Sequence, residues 1–330
     1  MKLRLLAPLR FKKNMRKIKI TAPATVANLV CGFDILGMAL NDPQDEMELT
    51  LLDEPIINIK HTDEYDLSEI PETNVAGVAL QALMDAYPKP VGFGVNIHKT
   101  IMPGSGLGSS AASSAGAVVA ANKLLGDFFT NDELVAFAMN GEKLACGVKH
   151  ADNIAPCIYG GITLIRSIHP LDIIPLHSPP LFVTVVHPQI EVKTSDSRQI
   201  LRKIVALKDA IKQWGNIAGL VTGFLKEDYD LISRSLEDVI IEPVRSILIP
   251  GFADIKEQCK EAGALGGGIS GSGPSVFMFN KDEKTANEIK NIMENIYTKL
   301  GLDFRCYVTT VNEQGVRVVN GELSILNYEF

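Results

Sequence analysis

Lys99-Thr100-Ile101-Met102-Pro103-Gly104-Ser105-Gly106-Leu107-Gly108-Ser109-Ser110 leads into a run of small residues, Ala111 to Leu125, that carries no charge before Lys123. Glycines at the alternate positions 104, 106 and 108 let the backbone turn tightly and approach a ligand with no Cβ in the way. The run that follows reads as a buried helix starting where the loop ends. Its unpaired first-turn N–H groups and positive dipole end favour an anion, most simply a phosphate. A P-loop requires Gly-x4-Gly-Lys-Ser/Thr, and no lysine falls within residues 104–113. Gly106, Gly108 and Ala111 do match the variant dinucleotide pattern Gly-x-Gly-x-x-Ala, with Asp127 near the offset of a ribose-binding acid. However, the helix runs directly into Gly126-Asp127-Phe128-Phe129 and a second helical stretch, which leaves no room for the second strand that pattern needs.

The remaining chain bounds the answer. At 330 residues it can bury the cores of two domains, and 46% hydrophobic with 22% charged residues is ordinary globular composition. The net charge of −7 argues against a nucleic-acid partner, which would call for clustered Lys and Arg. Five scattered cysteines, Cys31, Cys146, Cys157, Cys259 and Cys306, contain no Cys-x-x-Cys pair, so neither a disulfide framework nor a zinc site is expected and a reducing cytoplasm fits. No apolar run reaches the ~18 residues of a membrane helix. Residues 1–16 are a basic extension with neither the apolar core nor the cleavage site of a signal peptide.

Along the chain, strands are expected at 17–21 and within 46–60, a helix from Asn74 to Tyr87, and a strand from Val91 to His98 entering the glycine loop. Thr130-Asn131-Asp132-Glu133 is a helix start, and the helix should run to about Cys146. Strands at 162–167 and 181–187 follow, then helices near 196–206, 208–225, 229–240 and 252–262. A second glycine-rich loop, Gly263 to Ser275, enters a strand from Val276, and its glycine density implies close approach to a ligand or to the first loop. A helix from Asp282 to Leu300 and strands within 303–318 complete an α+β chain. The domain boundary is placed at residue 165.

Several polar residues stand out, each with an ordinary explanation. Asn28 and Asp34 lie in a mostly apolar segment, where turn chemistry would account for them. Glu142 sits on a helix, where a solvated surface position is the default. Arg198 and Arg245 are isolated cations whose stems can lie on apolar neighbours. His150-Ala151-Asp152-Asn153 packs polar groups beside apolar ones ahead of the pair Gly160-Gly161.

Pro103-x-x-x-Gly-Leu-Gly-Ser-Ser-Ala, with the segments around it in this order, resembles the motifs of the galactokinase, homoserine, mevalonate and phosphomevalonate (GHMP) kinases, in which this loop replaces Walker A as the phosphate cradle. Pro23-Ala24-Thr25 through Asn28 with Gly32-Phe33-Asp34, His150 through Pro156, and Arg245-x-x-Leu-Ile-Pro-Gly-Phe252 narrow the resemblance to the homoserine kinases, over about residues 17–319. It implies an N-terminal ribosomal-protein-S5-like domain (17–165) that binds ATP, a C-terminal ferredoxin-like domain (166–330), and a homodimer.

The resemblance also assigns roles. The ATP site would comprise Asn74, Lys99, Pro103, Gly104, Ser105, Gly106, Leu107, Gly108, Ser109, Ser110 and Thr194. Ser110 and Glu142 would share Mg²⁺, which suits sparse oxygen ligation. L-homoserine, a zwitterion with a primary alcohol, would be held by Asp34 at its ammonium and by Arg198 and Arg245 at its carboxylate. Asn28, His150, Asp152 and Asn153 would orient the rest. Ser110, Glu142 and Asn153 are the catalytic candidates. The base remains open between Asp152 and Asn153, because the register against mevalonate-type relatives differs by one residue. A sister kinase with another small alcohol, mevalonate included, and a non-catalytic metabolite sensor are the alternatives.

Overall fold

The computed structural model describes residues 17–190, 192 and 194–319, with the side chains of residues 194–196 outside that description. The basic extension 1–16 and the tail 320–330 lie outside the described residues.

The strands are β1 (Lys17–Ala27), β2 (Leu36–Leu52), β3 (Ile57–His61), β4 (Gly92–His98), β5 (Ile162–Ile168), β6 (Leu171–Leu176), β7 (Phe182–Pro188), β8 (Gly266–Ile269), β9 (Val276–Asn280), β10 (Phe304–Thr310) and β11 (Arg317–Val318). The helices are α1 (Val75–Ala86), α2 (Ser109–Leu124), α3 (Asn131–Cys146), α4 (Ile154–Tyr159), α5 (Thr194–Gln199), α6 (Leu207–Lys226), α7 (Tyr229–Ser235), α8 (Glu242–Arg245), α9 (Phe252–Glu261) and α10 (Glu283–Leu300).

The first sheet runs β11-β1-β2-β4-β3, with β5 pairing to β2 and β6 to β5. Its one parallel pair, β3 and β4, needs a crossover, and α1 lies in that connection. In β1, buried Ile18, Ile20 and Ala22 alternate with Lys17, Lys19 and Thr21, the period-2 pattern of a sheet solvated on one face. Helix α2 lies against that buried face because its residues are small. A Cβ on Gly116 would stand 3.2 Å from Ala22 and Ile20 side-chain carbons. On α3, a Cβ at Gly141 would stand 2.2 Å from Ser114 Oγ of α2 and 2.7 Å from the Val75 carbonyl of α1. The three helices therefore pack at near backbone contact, and α2 is buried along most of its length.

The second sheet is antiparallel, ordered β10-β7-β9-β8. Chain order β7-α9-β8-β9-α10-β10 gives the βαββαβ arrangement of the expected ferredoxin-like domain, with α5 to α8 inserted before α9. One face buries Val186, Ile255, Met278, Ile289, Met293 and Tyr297 beneath α9 and α10. The other, with Val183, Val185, Phe277 and Phe279, joins Leu220 and Phe224 of α6 and is continuous with the core of the first sheet. Among the described residues no helix is long and apolar enough to cross a membrane.

Several elements differ from the sequence expectation. Strand β6 was not expected; Pro175 weakens its signal, and it lies at the sheet edge, where proline is tolerated. The first sheet therefore extends through Leu176 and takes back Arg317–Val318, so a boundary at residue 165 falls inside β5. The helix expected over 196–206 is the short α5, and the one over 229–240 ends at Ser235. Within the second glycine loop, Gly266–Ile269 is a strand, because β9 crowds it: a Cβ on Gly267 would stand 1.9 Å from the Phe277 carbonyl. Asp127, the acid of the dinucleotide pattern, pairs with Lys123 on the surface.

Candidate active site

The phosphate loop is shaped by what presses on it. Gly106 and Gly108 hold φ of 80° and 67°, and neither has room for a side chain. A Cβ on Gly106 would stand 2.6 Å from the Gly273 carbonyl; one on Gly108 would stand 2.0 Å from Thr25 Oγ1 and 3.0 Å from Asn153 Oδ1. The second glycine loop grips the first. Ser270 Oγ donates to the Gly106 carbonyl at 2.7 Å, and Ser275 Oγ donates to the Ser105 carbonyl at 2.6 Å. Gly108 is the N-cap of α2 and supplies no capping side chain, so the first-turn N–H groups are left for a ligand.

Beneath the loop is a pair that sequence reasoning missed. Asp45, fully buried in β2, accepts from the backbone N–H groups of Thr100 at 2.8 Å and Ile101 at 2.9 Å and pairs with Lys99 Nζ. The ammonium also donates to the Ser109 carbonyl at 2.8 Å and to Ser113 Oγ at 2.9 Å. Lys99 lines the cavity, yet its charge is committed to holding the loop against α2.

Pro103, Gly104, Gly106, Gly108, Ser109 and Ser110 line a cavity of about 350 Å³, whereas Ser105 and Leu107 are buried behind it. Ser110 Oγ donates to Glu142 Oε1 at 2.5 Å. Glu142 is buried in α3 rather than solvated, and burial pushes its carboxyl above the usual range despite that hydrogen bond. Asn74 does not line the cavity. It caps α1, accepting from Ala76 N at 2.9 Å and donating to the Ser68 carbonyl at 2.6 Å. Thr194 opens α5, and its side chain lies outside the described ones.

Across the cavity the residues expected on the acceptor side converge from four parts of the chain. Asn28 and Asp34 occupy a left-handed turn between β1 and β2, at φ of 73° and 62°, where Asn28 Oδ1 accepts from Asp34 N at 3.1 Å. Turn chemistry is therefore present, and both side chains also line the cavity. Asn28 Nδ2 donates to the Gly271 carbonyl at 2.8 Å. Arg198 NH2 donates to Asp34 Oδ1 at 2.9 Å and lies 3.4 Å from His150 Nδ1. Arg245 is buried, donating from Nε to the Ser197 carbonyl at 3.1 Å and from NH1 to the Gly271 carbonyl at 3.0 Å. Both guanidiniums lie over the Phe33 ring, at 5.6 Å and 5.0 Å from its centroid. Phe33 and Thr25 lie within segments that carry the resemblance but had no role assigned to them, and Asp45 lies outside those segments. The ring gives two like charges a shared apolar and π-rich surface.

Electrostatics follows from burial. Desolvation, then repulsion from Arg198, lowers the Arg245 guanidinium to about 10, still charged at neutral pH. Burial lowers the His150 imidazole, with Asp34 opposing, and its Nε2 is buried with no hydrogen-bond partner among the described residues. Burial, reinforced by Asp34 and Glu142, raises the Asp152 carboxyl to about 7 from 3.8. The fold thus retains a proton there that the unfolded chain releases above pH ~4, so stability falls from about pH 4 to pH 7 and stays lower above it. Asp152→Asn is therefore expected to be more stable than wild type at pH 8, by on the order of 4 kcal/mol, with the advantage shrinking towards pH 4. Thermal unfolding of both proteins across that range checks this; a pH-independent difference would refute it.

The glycine loop, the Ser110–Glu142 pair and an opposing cationic wall share one cavity, an arrangement with the chemistry to move a phosphoryl group to a small acceptor. The matching family models are GHMP kinases N terminal domain, over residues 74–161, and GHMP kinases C terminal, over residues 220–299. The homoserine kinase of Chloroherpeton thalassium is 43% identical over 319 residues, covering 92% of this chain and all of that one. A crystal structure of homoserine kinase from Cytophaga hutchinsonii is 44% identical, with a TM-score of 0.89 over 96% of this chain and all of that one. The chain belongs to the homoserine kinase family of the GHMP kinases. The L. major mevalonate kinase, in complex with R-mevalonate, shares the fold at 16% identity, with a TM-score of 0.66 over 89% of this chain and 95% of that one. The fold alone therefore does not select the acceptor.

Proposed function

We propose that this protein transfers the γ-phosphoryl group of ATP to the side-chain hydroxyl of L-homoserine, giving O-phospho-L-homoserine for threonine biosynthesis in the cytoplasm, and that it works as a homodimer. The observation that carries the reading is one cavity in which a phosphate cradle faces Asp34, Arg198 and Arg245. A carboxylate beside two guanidiniums complements a zwitterionic amino acid, whereas mevalonate offers no ammonium to Asp34. The first-turn N–H groups of α2 and the loop backbone receive the ATP phosphates. Lys99 acts there by holding the loop.

Ser110 and Glu142 are the residues that would hold Mg²⁺. The fit rests on a buried carboxylate hydrogen-bonded to one hydroxyl, with no cation paired to it among the described residues. Such a sparse oxygen set leaves positions for water and phosphate oxygens. When bound, the ion would supply positive charge that offsets the charge developing as the γ-phosphoryl group moves.

Asn153 orients the acceptor hydroxyl. Thr25 Oγ1 donates to its Oδ1 at 2.7 Å, which fixes the amide with Nδ2 as its donor end. An amide does not take a proton, and phosphoryl transfer through a loose transition state needs little proton removal early, so positioning and electrostatics suffice. Asn153→Ala is expected to lower kcat by about ten-fold or less; a loss matching that of a Glu142 variant would refute transfer without a strong base. Arg245→Ala is expected to raise the homoserine KM by about 10²-fold with little change in the ATP KM, because a charge-assisted partner of the carboxylate is lost. An equal rise in both would place Arg245 elsewhere.

The reading is tested by coupled ADP release with Mg-ATP and a panel of L-homoserine, galactose, mevalonate and shikimate. Turnover with L-homoserine alone, abolished by EDTA, supports it. Turnover with mevalonate instead would select the sister-kinase reading, and ATP binding without turnover would select a sensor.

A further inference from the structure

We infer that Gln213, on α6 and outside the cavity lining, is a positioning residue that sets the spacing between the ammonium-binding and carboxylate-binding halves of the acceptor site. This rests on the acceptor reading above. Gln213 is only 5% exposed, and its amide is used at both ends. Nε2 donates to the Cys31 carbonyl at 2.8 Å and to Asp238 Oδ1 at 2.9 Å, while Oε1 accepts from Val239 N at 3.1 Å.

These partners belong to the two elements that carry the opposed binding groups. Cys31 lies in the turn that presents Asn28, Phe33 and Asp34. In that turn Asn28, Leu29, Val30 and Asp34 all have positive φ, a conformation that persists only when its surroundings hold it. Asp238 organises the start of α8. Its carboxylate accepts from the N–H groups of Ile240, Ile241 and Glu242 at 2.8, 3.0 and 2.9 Å, and Arg245 follows at the end of that helix. Gln213 thus ties the Asp34 turn to the Arg245 segment through one side chain. Among the described residues, the neighbouring α6 residues Lys212 and Asn216 hydrogen-bond to Glu237, so they hold the second segment and not the first.

The chemistry of the position restricts it to a long carboxamide. Two acceptors and one donor must be met at once inside the protein. A leucine would leave the Cys31 carbonyl and Val239 N–H without this partner. A glutamate would set a second carboxylate against Asp238 and the Cys31 carbonyl. An asparagine is too short to span both elements. The separation of Asp34 from Arg245 decides whether one small molecule reaches both, so Gln213 governs selectivity for an α-amino acid without touching it.

The test is steady-state kinetics on the full chain with Gln213→Leu, with L-homoserine, 3-aminopropan-1-ol, which lacks the carboxylate, and 4-hydroxybutanoate, which lacks the ammonium. The homoserine KM is expected to rise about ten-fold, the ATP KM to stay within about two-fold and kcat within about three-fold, with the preference for homoserine over both analogues reduced. On an Arg245→Ala background the same substitution should add less than it does alone, since the two act on one binding group. If Gln213→Leu does not fold, Gln213→Asn is expected to give the same split between the two KM values. A folded variant with both KM values unchanged or equally raised, or full additivity with Arg245→Ala, overturns the inference. Failure of the wild type to turn over homoserine instead overturns the acceptor reading and this inference with it; wild-type turnover with an unsplit variant overturns the inference alone.

Discussion

Glu142→Gln is expected to lower kcat by about 10²–10³-fold while the homoserine KM stays within about two-fold, because the carboxylate proposed above to hold Mg²⁺ would act on charge at the transferring phosphates and not on the acceptor. The substitution keeps the shape of the side chain and the hydrogen bond from Ser110 Oγ. It removes a carboxylate whose ionisation is opposed by burial. The sign for stability follows from that direction. A carboxyl raised in the fold above its unfolded value loses stability as pH rises from the unfolded value, so the neutral isostere should melt at or above the wild-type temperature at pH 8 in the absence of metal. Mg-ATP is expected to raise the melting temperature of wild type, and the variant should show a smaller gain. Activity that remains magnesium-dependent with unchanged metal affinity would remove Glu142 from the metal site.

Asp45→Ala is expected to destabilise the protein by about 3–5 kcal/mol, the range for breaking a buried ion pair from one side. The variant leaves the Lys99 ammonium buried with only Ser113 Oγ and the Ser109 carbonyl, and it orphans the N–H groups of Thr100 and Ile101. Those two residues begin the phosphate loop, so the protein that still folds should also show a raised ATP KM. Pairing the change with Lys99→Met should recover part of the lost stability, since the uncompensated charge is then gone. Thermal or urea unfolding of the two single variants and the double variant measures this. A loss below about 1 kcal/mol in Asp45→Ala would mean that the pair is not what supports the loop.

The legibility of the molecule follows the range of its interactions. Signals carried by neighbours in sequence were readable: the alternate glycines before α2, the capping box of Thr130 and Glu133 that starts α3, and the period-2 alternation of β1. β6 and β8 were not readable, because each is made a strand by the partner it lies beside and not by its own residues. The density of glycine in the second loop could be read, but its meaning needed the fold: it lets Ser270 and Ser275 reach the carbonyls of the first loop.

The same division runs through the site. Asn28, Asp34, Arg198 and Arg245 were named from a resemblance in motif order, and each alone would have passed for a turn residue or a surface cation. Their convergence on one cavity is a property of the tertiary structure. Asp45 lies 54 positions from Lys99, and Gln213 lies 182 positions from Cys31, so no local pattern marks either contact. By itself, the sequence determined that a glycine-rich loop leads into a buried helix, because backbone sterics act within a few residues. The tertiary structure alone decided which charges face one another across the cavity and which are spent holding it open, because burial and pairing are set by elements distant in the chain.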